Sequence, residues 1–213
     1  GDPLPNLEPG EGLLSLGGPM GIGDLSNSSH PWLVREIRLI QNAIEKKIPF
    51  IGVCLGAQLL AKAGGGGVQP LFWGTPPKLR PEIGWSKIKI IPENIQEPIL
   101  AHTQQELDVL HWHADRILLP KAAKLLASST KCREQLFRIG QKAYGLQFHI
   151  EVTDSSVYTW IDEDFQFVAS GLGLDGPQVL RSQQAQYGQA TLLQRLRMLK
   201  GLFEILWLQD TTL

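Results

Sequence analysis

The sequence predicts an α/β protein whose core sheet is mostly parallel and carries an antiparallel patch. Early in the chain, short β-type runs alternate with runs of helical spacing, the pattern of parallel βα units. Between residues 83 and 148, β-type runs follow one another directly, and such neighbours usually pair antiparallel. The 213 residues suffice for one core, so we expect a single domain over residues 1–213.

The individual elements follow from periodicity and from glycine and proline positions. "GLLSL" predicts a short strand that ends in a glycine turn, and "PWLVREIRLIQNAIEKK" has apolar residues at helical spacing. "IPFIGV" predicts a strand that leads into Cys54, and "LGAQLLAKA" predicts a helix that stops at the glycines 64–67. "SSVYTWIDEDFQFVAS" is also predicted to be helical. The last run predicts an amphipathic helix with one apolar face, formed by Leu192, Leu196, Leu199, Phe203 and Leu206.

Composition and charge narrow the class of partner. A formal net charge of -1 with 19% charged residues gives no electrostatic reason to expect nucleic acid or a membrane surface. No apolar run approaches the roughly 20 residues that span a bilayer, and "GDPLPNLEPGEG" does not resemble a signal peptide. With only two cysteines, we expect a reduced, cytoplasmic protein.

Cys54 is the first candidate for chemistry. A free cysteine is most often a buried, inert side chain. Here, however, a strand, the pattern Gly52-x-Cys54-x-Gly56 and a helix follow one another, as in a turn that projects a nucleophile above a sheet. The amino end of that helix would favour a thiolate, and the N–H of Leu55 would point toward a developing oxyanion.

A cysteine nucleophile needs a base, and His149 is the best placed of five histidines. We expect His30 and His102 to be solvated. His149 closes the predicted strand "AYGLQFH", and Glu151 follows it at the i+2 position, where it could orient the imidazole. From the spacing alone, a purely structural role for His149 is as compatible with the sequence as a role as the base.

Three motifs taken together resemble the class I, triad-type glutamine amidotransferases. They are "GVCLGAQLLA", "GLQFHIEVT" and "LGGPMGIGD", the last resembling the family's oxyanion loop. "PEIGW" and "HWHAD" narrow the resemblance to small stand-alone members related to the amidotransferase domain of GMP synthase. The resemblance covers nearly the whole chain and implies a three-layer, doubly wound, flavodoxin-like sheet.

The resemblance also implies roles for individual residues. Cys54 would attack the glutamine side-chain amide, His149 would move the proton, and Glu151 would hold His149. Gly18 and Leu55 would supply the oxyanion-hole N–H groups.

Two further positions would bind the substrate. Gln58, one helical turn after Cys54, resembles the family's glutamine-binding residue, and its alternative is a solvated helix residue. Gly17 is the second position, in the loop before Gly18.

The chain departs from the family pattern in two places. Only about a dozen residues precede the "LGGP" strand, so we expect the domain to lack the family's first strand-helix-strand. The "GLLSL" strand would then be an open sheet edge, which favours a homodimer. Ile150 also replaces the family's usual proline between His149 and Glu151, a change that a strand tolerates.

No cofactor is expected, and we expect no metal site. His111 and His113 share a strand face, but no third ligand with convincing spacing follows, and Asp115 alone is weak. A structural or substrate-loop role is the preferred interpretation of this pair. Cys132 is interpreted as a bystander, and the glycines 64–67 follow a helix rather than forming a phosphate loop.

The leading hypothesis is therefore a glutamine amidotransferase or glutaminase. It would pass ammonia to a separate synthetase subunit, or it would act as a glutaminase in which water releases the glutamyl group. A γ-glutamyl peptidase or hydrolase with the same triad, and a non-catalytic regulatory or binding module, remain alternatives.

Overall fold

A computed structural model describes residues 4–8, 10–100 and 103–207. The strands in those residues are β1 (Leu13–Ser15), β2 (Phe50–Val53), β3 (Gly67–Pro70), β4 (Phe72–Trp73), β5 (Lys78–Leu79), β6 (Glu82–Ile90), β7 (Glu106–His113), β8 (Asp115–Leu118), β9 (Ala123–Ser128), β10 (Leu136–Ile139) and β11 (Ala143–Leu146). The α-helices are α1 (Trp32–Glu45), α2 (Leu55–Ala63), α3 (Asp154–Glu163), α4 (Phe165–Leu172), α5 (Gly176–Tyr187) and α6 (Leu192–Trp207). Short 3-10 helices occupy Ile22–Ser26, Pro92–Asn94 and Pro98–Leu100.

The main sheet has seven strands in the order β1-β2-β11-β10-β9-β6-β7. β2 lies between β1 and β11 and is parallel to both. The pairs β11–β10, β10–β9, β9–β6 and β6–β7 are antiparallel. The α/β class is therefore confirmed, with a parallel region at the end of the sheet that carries Cys54. The antiparallel region is larger than the predicted patch, because short connections join most of the strands after β6 along the chain.

Helices cover both faces of this sheet. α1 and α2 pack on one face, where Leu33, Ile40 and Leu59 meet Phe50 of β2. α6 packs on the other face, where Met198 and Leu202 meet Ile51. Phe50 and Ile51 point to opposite faces because successive strand residues alternate, so β2 is buried on both sides. A third apolar cluster joins α3, α4 and α5 to β6 and β7.

The structure confirms some of the helix predictions and corrects others. The apolar face of α1 is confirmed, since Leu33 and Ile40 are buried and Ile37 and Ile44 pack beside them. The run predicted as one helix after residue 154 forms α3 and α4, which meet at Asp164. Helix α5 was not predicted from the sequence.

The predicted face of α6 is wrong. Leu192, Leu196 and Phe203 are exposed and Leu199 is only partly buried, whereas the adjoining face, with Arg195, Met198 and Leu202, is buried. α6 carries apolar residues around much of its circumference, so periodicity alone did not select the buried side. The side chain of Leu206 lies outside the described part of the chain, as does the predicted solvation of His102.

β1 lies at one edge of the described sheet, as expected for the "GLLSL" strand. Among the residues described, none of the helices has the length and apolar character needed to span a membrane.

Candidate active site

Cys54 stands at the junction of β2 and α2, as the sequence predicted. Its φ of 52° lies in the left-handed region, which a side chain other than glycine rarely adopts. The Cys54 N–H donates to the Leu146 carbonyl at 2.7 Å, and its own carbonyl accepts from the Gln58 N–H at 3.0 Å. These two bonds fix the strained turn at the start of α2, so the partly exposed thiol projects above the parallel strands.

The two glycines beside Cys54 are required by close backbone contacts. A Cβ at Gly52 would overlap the carbonyl group of Gly56, and a Cβ at Gly56 would overlap the carbonyl oxygen of Ser15. The start of α2 therefore lies directly against β2 on one side and β1 on the other. This packing explains the spacing Gly52-x-Cys54-x-Gly56.

His149 and Glu151 form a close pair. His149 Nδ1 lies 2.6 Å from Glu151 Oε1, and the N–H of Ile150 donates to Glu151 Oε2 at 2.9 Å. The predicted strand extends too far, because β11 ends at Leu146 and His149 lies beyond it in an isolated bridge with Leu110. The convergence of the i and i+2 side chains, inferred from strand geometry, is nonetheless present.

The surroundings of His149 favour its protonated form. Burial lowers its pKa, but hydrogen bonds with Cys54 and Glu151 and their charges outweigh burial and raise the pKa to about 10. Burial raises the pKa of Glu151, and the bond and charge of His149 outweigh it, so the net shift is downward. The pair is thus an imidazolium and a carboxylate near neutral pH.

The glycine loop after β1 closes over these side chains. A Cβ at Gly17 would stand 3.2 Å from His149 Cε1 and 3.9 Å from Cys54 Sγ, so Gly17 lies beside both. A Cβ at Gly18 would stand 3.4 Å from a methyl carbon of Leu55. Gly18 and Leu55 are therefore neighbours, and the N–H of Leu55, in the first turn of α2, has no acceptor within the helix.

Gln58 is buried rather than solvated. Its Nε2 donates to Gln147 Oε1 at 3.4 Å, and Gln147 Nε2 lies 3.8 Å from Cys54 Sγ. Gln147 is fully buried and was not predicted as a site residue. Its position two residues before His149, within the "GLQFH" motif, was the available signal.

Comparison with known proteins identifies the family of this site. A model of the class I glutamine amidotransferases matches residues 6–165. The chain belongs to the class I glutamine amidotransferase family. The glutamine amidotransferase-like protein YfeJ of Salmonella typhimurium is 32% identical over 170 residues, which cover 79% of this chain and 68% of YfeJ. A glutamine-hydrolysing GMP synthase subunit of Saccharolobus solfataricus is 31% identical over 156 residues, which cover 70% of this chain and 72% of that protein.

Solved structures agree with this family assignment. A glutamine amidotransferase of Thermotoga maritima superposes with a TM-score of 0.73 at 30% identity, covering 92% of this chain and 78% of that one. The match to the GMP synthase of Wigglesworthia glossinidia brevipalpis covers 68% of this chain but only 26% of the relative. This amidotransferase-family chain therefore corresponds to about a quarter of that longer enzyme.

Strand β7 contacts the Cys54 side chain and the His149 backbone. The Trp112 carbonyl oxygen lies 3.9 Å from Cys54 Sγ, and Leu110 exchanges backbone hydrogen bonds with His149. The Trp112 ring packs against Trp160, whose ring stands edge-on to the His149 imidazole at a centroid distance of 5.1 Å. Trp112 and Trp160 were not predicted as site residues, because strands and helices distant in sequence bring them there.

Arg195 of α6 forms hydrogen bonds with the backbone on both sides of Glu151. It is buried, and its guanidinium donates to the carbonyls of Ile150, Val152 and Gly188. Its charge also lies over the Trp85 ring at 5.4 Å. Arg195 thus fixes the backbone on both sides of Glu151 without reaching the thiol.

His111 and His113 have a third neighbour that was not predicted from the sequence. Glu82 of β6 faces both rings, and the three buried side chains form a group that could hold a metal ion. The expectation that no third ligand accompanies the pair is therefore wrong, because Glu82 comes from the neighbouring strand and not from local spacing. Burial lowers the pKa of His111 to about 4, against the opposing charge of Glu82.

Cys132 differs from Cys54 in its surroundings. Both cysteines are free, but Cys132 is buried, and burial raises the pKa of its thiol to about 12. A buried thiol of this kind is a poor nucleophile.

Proposed function

We propose that this chain hydrolyses the side-chain amide of glutamine through a thioester on Cys54. The observation that carries the proposal is the placement of Cys54, on a strained turn at a helix start, against the buried His149 and its partner Glu151. A strained backbone and a strongly shifted histidine pKa at one place are typical of catalytic sites. The family assignment is consistent with this chemistry.

The first half of the reaction forms the thioester. His149 already holds the proton that the Cys54 thiol gives up, and the Cys54 sulfur forms a bond to the amide carbon of glutamine. The carbonyl oxygen becomes an oxyanion, which the N–H groups of Gly18 and Leu55 stabilise. When the oxyanion collapses, the C–N bond breaks, His149 returns its proton to the nitrogen, and ammonia leaves.

The second half releases glutamate. His149 takes a proton from water as the water oxygen attacks the thioester carbon, and the same N–H groups stabilise the second oxyanion. The C–S bond then breaks, and the Cys54 sulfur is released beside His149, which holds the proton taken from water. Glu151 holds the imidazole in one orientation and stabilises its charge through both steps.

Gln58 and Gln147 would orient the substrate. Their amides meet beside Cys54 Sγ, and each can donate and accept hydrogen bonds. Gly17 would leave room for the substrate chain next to the thiol, since a side chain there would contact both Cys54 and His149.

The ammonia acceptor is proposed from the relatives. One of them is named as a subunit of a glutamine-hydrolysing GMP synthase. That name supports glutamine as the substrate and, for the ammonia, a separate synthetase protein that accepts it. We place the reaction in the cytoplasm, where both free cysteines stay reduced.

The test is covalent labelling by a glutamine analogue that carries a diazoketone, followed by peptide mass spectrometry. We expect stoichiometric loss of the Cys54 thiol and none at Cys132, which serves as the internal control. His149→Ala should abolish the labelling while circular dichroism stays unchanged.

Two other results would separate the alternatives. Labelling of Cys54 with turnover of γ-glutamyl dipeptides but not of glutamine would identify a peptidase. Equal or absent labelling of the two cysteines in folded protein would contradict catalysis and favour a non-catalytic module.

A further inference from the structure

We propose that Glu82, His111 and His113 bind one divalent transition-metal ion of the zinc class. His111 and His113 lie on one face of β7, and Glu82 is paired with His113 across the neighbouring strand β6. All three side chains are buried, with at most 3% of any residue exposed. The proposal does not depend on the reaction of Cys54.

The separations between the three side chains suit a shared ion. Glu82 Oε2 lies 3.4 Å from His113 Nε2 and 3.7 Å from His111 Nδ1. In a tetrahedral zinc site with bonds of about 2.0–2.1 Å, two ligand atoms stand about 3.3–3.4 Å apart. The two distances to Glu82 are close to these values, and the ligand atoms of all three side chains lie within 4.8 Å of one another.

Direct hydrogen bonds do not account for this arrangement. Both ring nitrogens of His111, Nε2 of His113 and Oε1 of Glu82 are buried and make no hydrogen bond. Ser86 of β6 is near the His111 ring but does not satisfy either nitrogen. Buried polar atoms without a partner are rare in folded proteins, and so many at one place indicate a missing common partner.

The surrounding hydrogen bonds have the form found behind metal ligands. His113 Nδ1 lies 2.8 Å from the carbonyl oxygen of Asp115, an acceptor that places the proton on Nδ1 and leaves the lone pair of Nε2 free. Glu82 Oε2, the oxygen nearest both imidazoles, also accepts from Gln135 Nε2 at 2.8 Å and from Ser129 at 3.1 Å, and these bonds hold the carboxylate toward the two rings.

An ion at this site would act on the fold rather than on substrate. It would tie β6 to β7 on the face opposite Trp112, the residue between the two histidines. The carbonyl of Trp112 faces Cys54 Sγ, so a fixed β7 would also fix one wall of the thiol site. Two histidines and one carboxylate are a ligand set that zinc accepts.

The experiment measures metal content and stability of the full chain. Protein in a Cys54→Ser background, which removes the reactive thiol as a competing ligand, is stripped with a chelator and dialysed against zinc. After removal of free zinc, mass spectrometry of the metal should give about one ion per chain. The midpoint of thermal unfolding should rise by several degrees, since binding to the native state stabilises it.

Two variants and a control locate the ion. His111→Ala and Glu82→Gln should retain at least tenfold less zinc, whereas His30→Ala, which lies outside the cluster, should retain as much as the parent. Cobalt(II) should give the visible absorption of a low-coordinate site in the parent and lose it in both variants.

The proposal fails if the folded parent chain retains no zinc and its unfolding midpoint is the same with zinc and with chelator. It also fails if the two variants, folded by circular dichroism, bind zinc as the parent does. The parent measurement stands by itself if a variant does not fold.

Discussion

The guanidinium of Arg195 donates a hydrogen bond of 2.8 Å to the backbone carbonyl of Val152, the residue directly after Glu151. A second bond of 3.1 Å reaches the carbonyl of Ile150. A side chain on the last helix therefore holds both neighbours of the proposed orienting carboxylate. This relationship makes Arg195 a positioning residue that does not touch the reacting atoms.

Arg195→Lys should lower kcat about tenfold or more while changing KM little. Lysine lacks the planar set of donors that reaches several carbonyls at once, and hydrogen bonds from a charged group contribute about 1.5–3 kcal/mol each. Glutaminase kinetics on the purified variant measure this effect. The control is Arg197→Lys, an exposed change on the same helix, which should leave both constants unaltered.

A fall in stability without any change in kcat at saturating glutamine would contradict the positioning role of Arg195. It would leave Arg195 as a residue that only stabilises the packing of α6.

Gly56→Ala should lower the free energy of unfolding by about 1–3 kcal/mol, the usual cost of forcing extra atoms into a packed region. The added methyl group would meet the carbonyl of Ser15 in β1. Urea unfolding followed by circular dichroism measures the change. Gly23→Ala is the matched control, because nothing lies within 4 Å of its added Cβ, and it should stay within about 0.5 kcal/mol.

If Gly56→Ala were as stable as the control, the contact between the start of α2 and β1 would be looser than the structure has it.

The stability of the wild-type chain should fall as the pH rises from about 6.5 to about 10. The folded pKa of His149 is raised to about 10 from its ordinary value of 6.5, so the native state holds a proton that the unfolded state has released in this window. The contribution of His149 to the free energy of unfolding is fully present below pH 6.5. Above that pH it falls by at most about 1.4 kcal/mol per pH unit. Urea unfolding across this range measures it.

His149→Gln removes this titration, so the difference in unfolding free energy between the wild type and the variant should shrink as the pH rises. A difference that stays constant across the window would show that His149 is not held in its charged form.

Glu151 affects the stability of the chain at acidic pH. Because its pKa is lowered in the folded protein, Glu151 stabilises the fold above pH 4.5, its ordinary pKa. This stabilisation is lost as the pH falls through the folded pKa.

The sequence was most informative where local geometry decides the structure. The turn at Cys54 was predicted from Gly52 and Gly56; Gly52 leaves room for the backbone at the start of α2, and Gly56 leaves room for the Ser15 carbonyl of β1. Spacing made His149 and Glu151 candidates and the family resemblance implied their roles, although the strand that suggested the spacing ends earlier, at Leu146. Short-range patterns thus located the proposed catalytic residues.

The features that were missed depend on contacts distant in sequence. Glu82 joins His111 and His113 only through the register between β6 and β7, which periodicity does not determine. Arg195 is buried because carbonyls of another segment accept its hydrogen bonds, and a charged residue in an amphipathic pattern is ordinarily assigned to solvent.

The two backbone contacts of β7 have a consequence for insertions and deletions. Leu110 is hydrogen-bonded to His149, and Trp112, two residues along the same strand, presents its carbonyl to Cys54. The distance between these two contact points is set by the fixed rise of one extended strand. An added or deleted residue between them would move one partner relative to the other and reverse the faces of the side chains beyond it. We therefore expect β7 to tolerate no change in length.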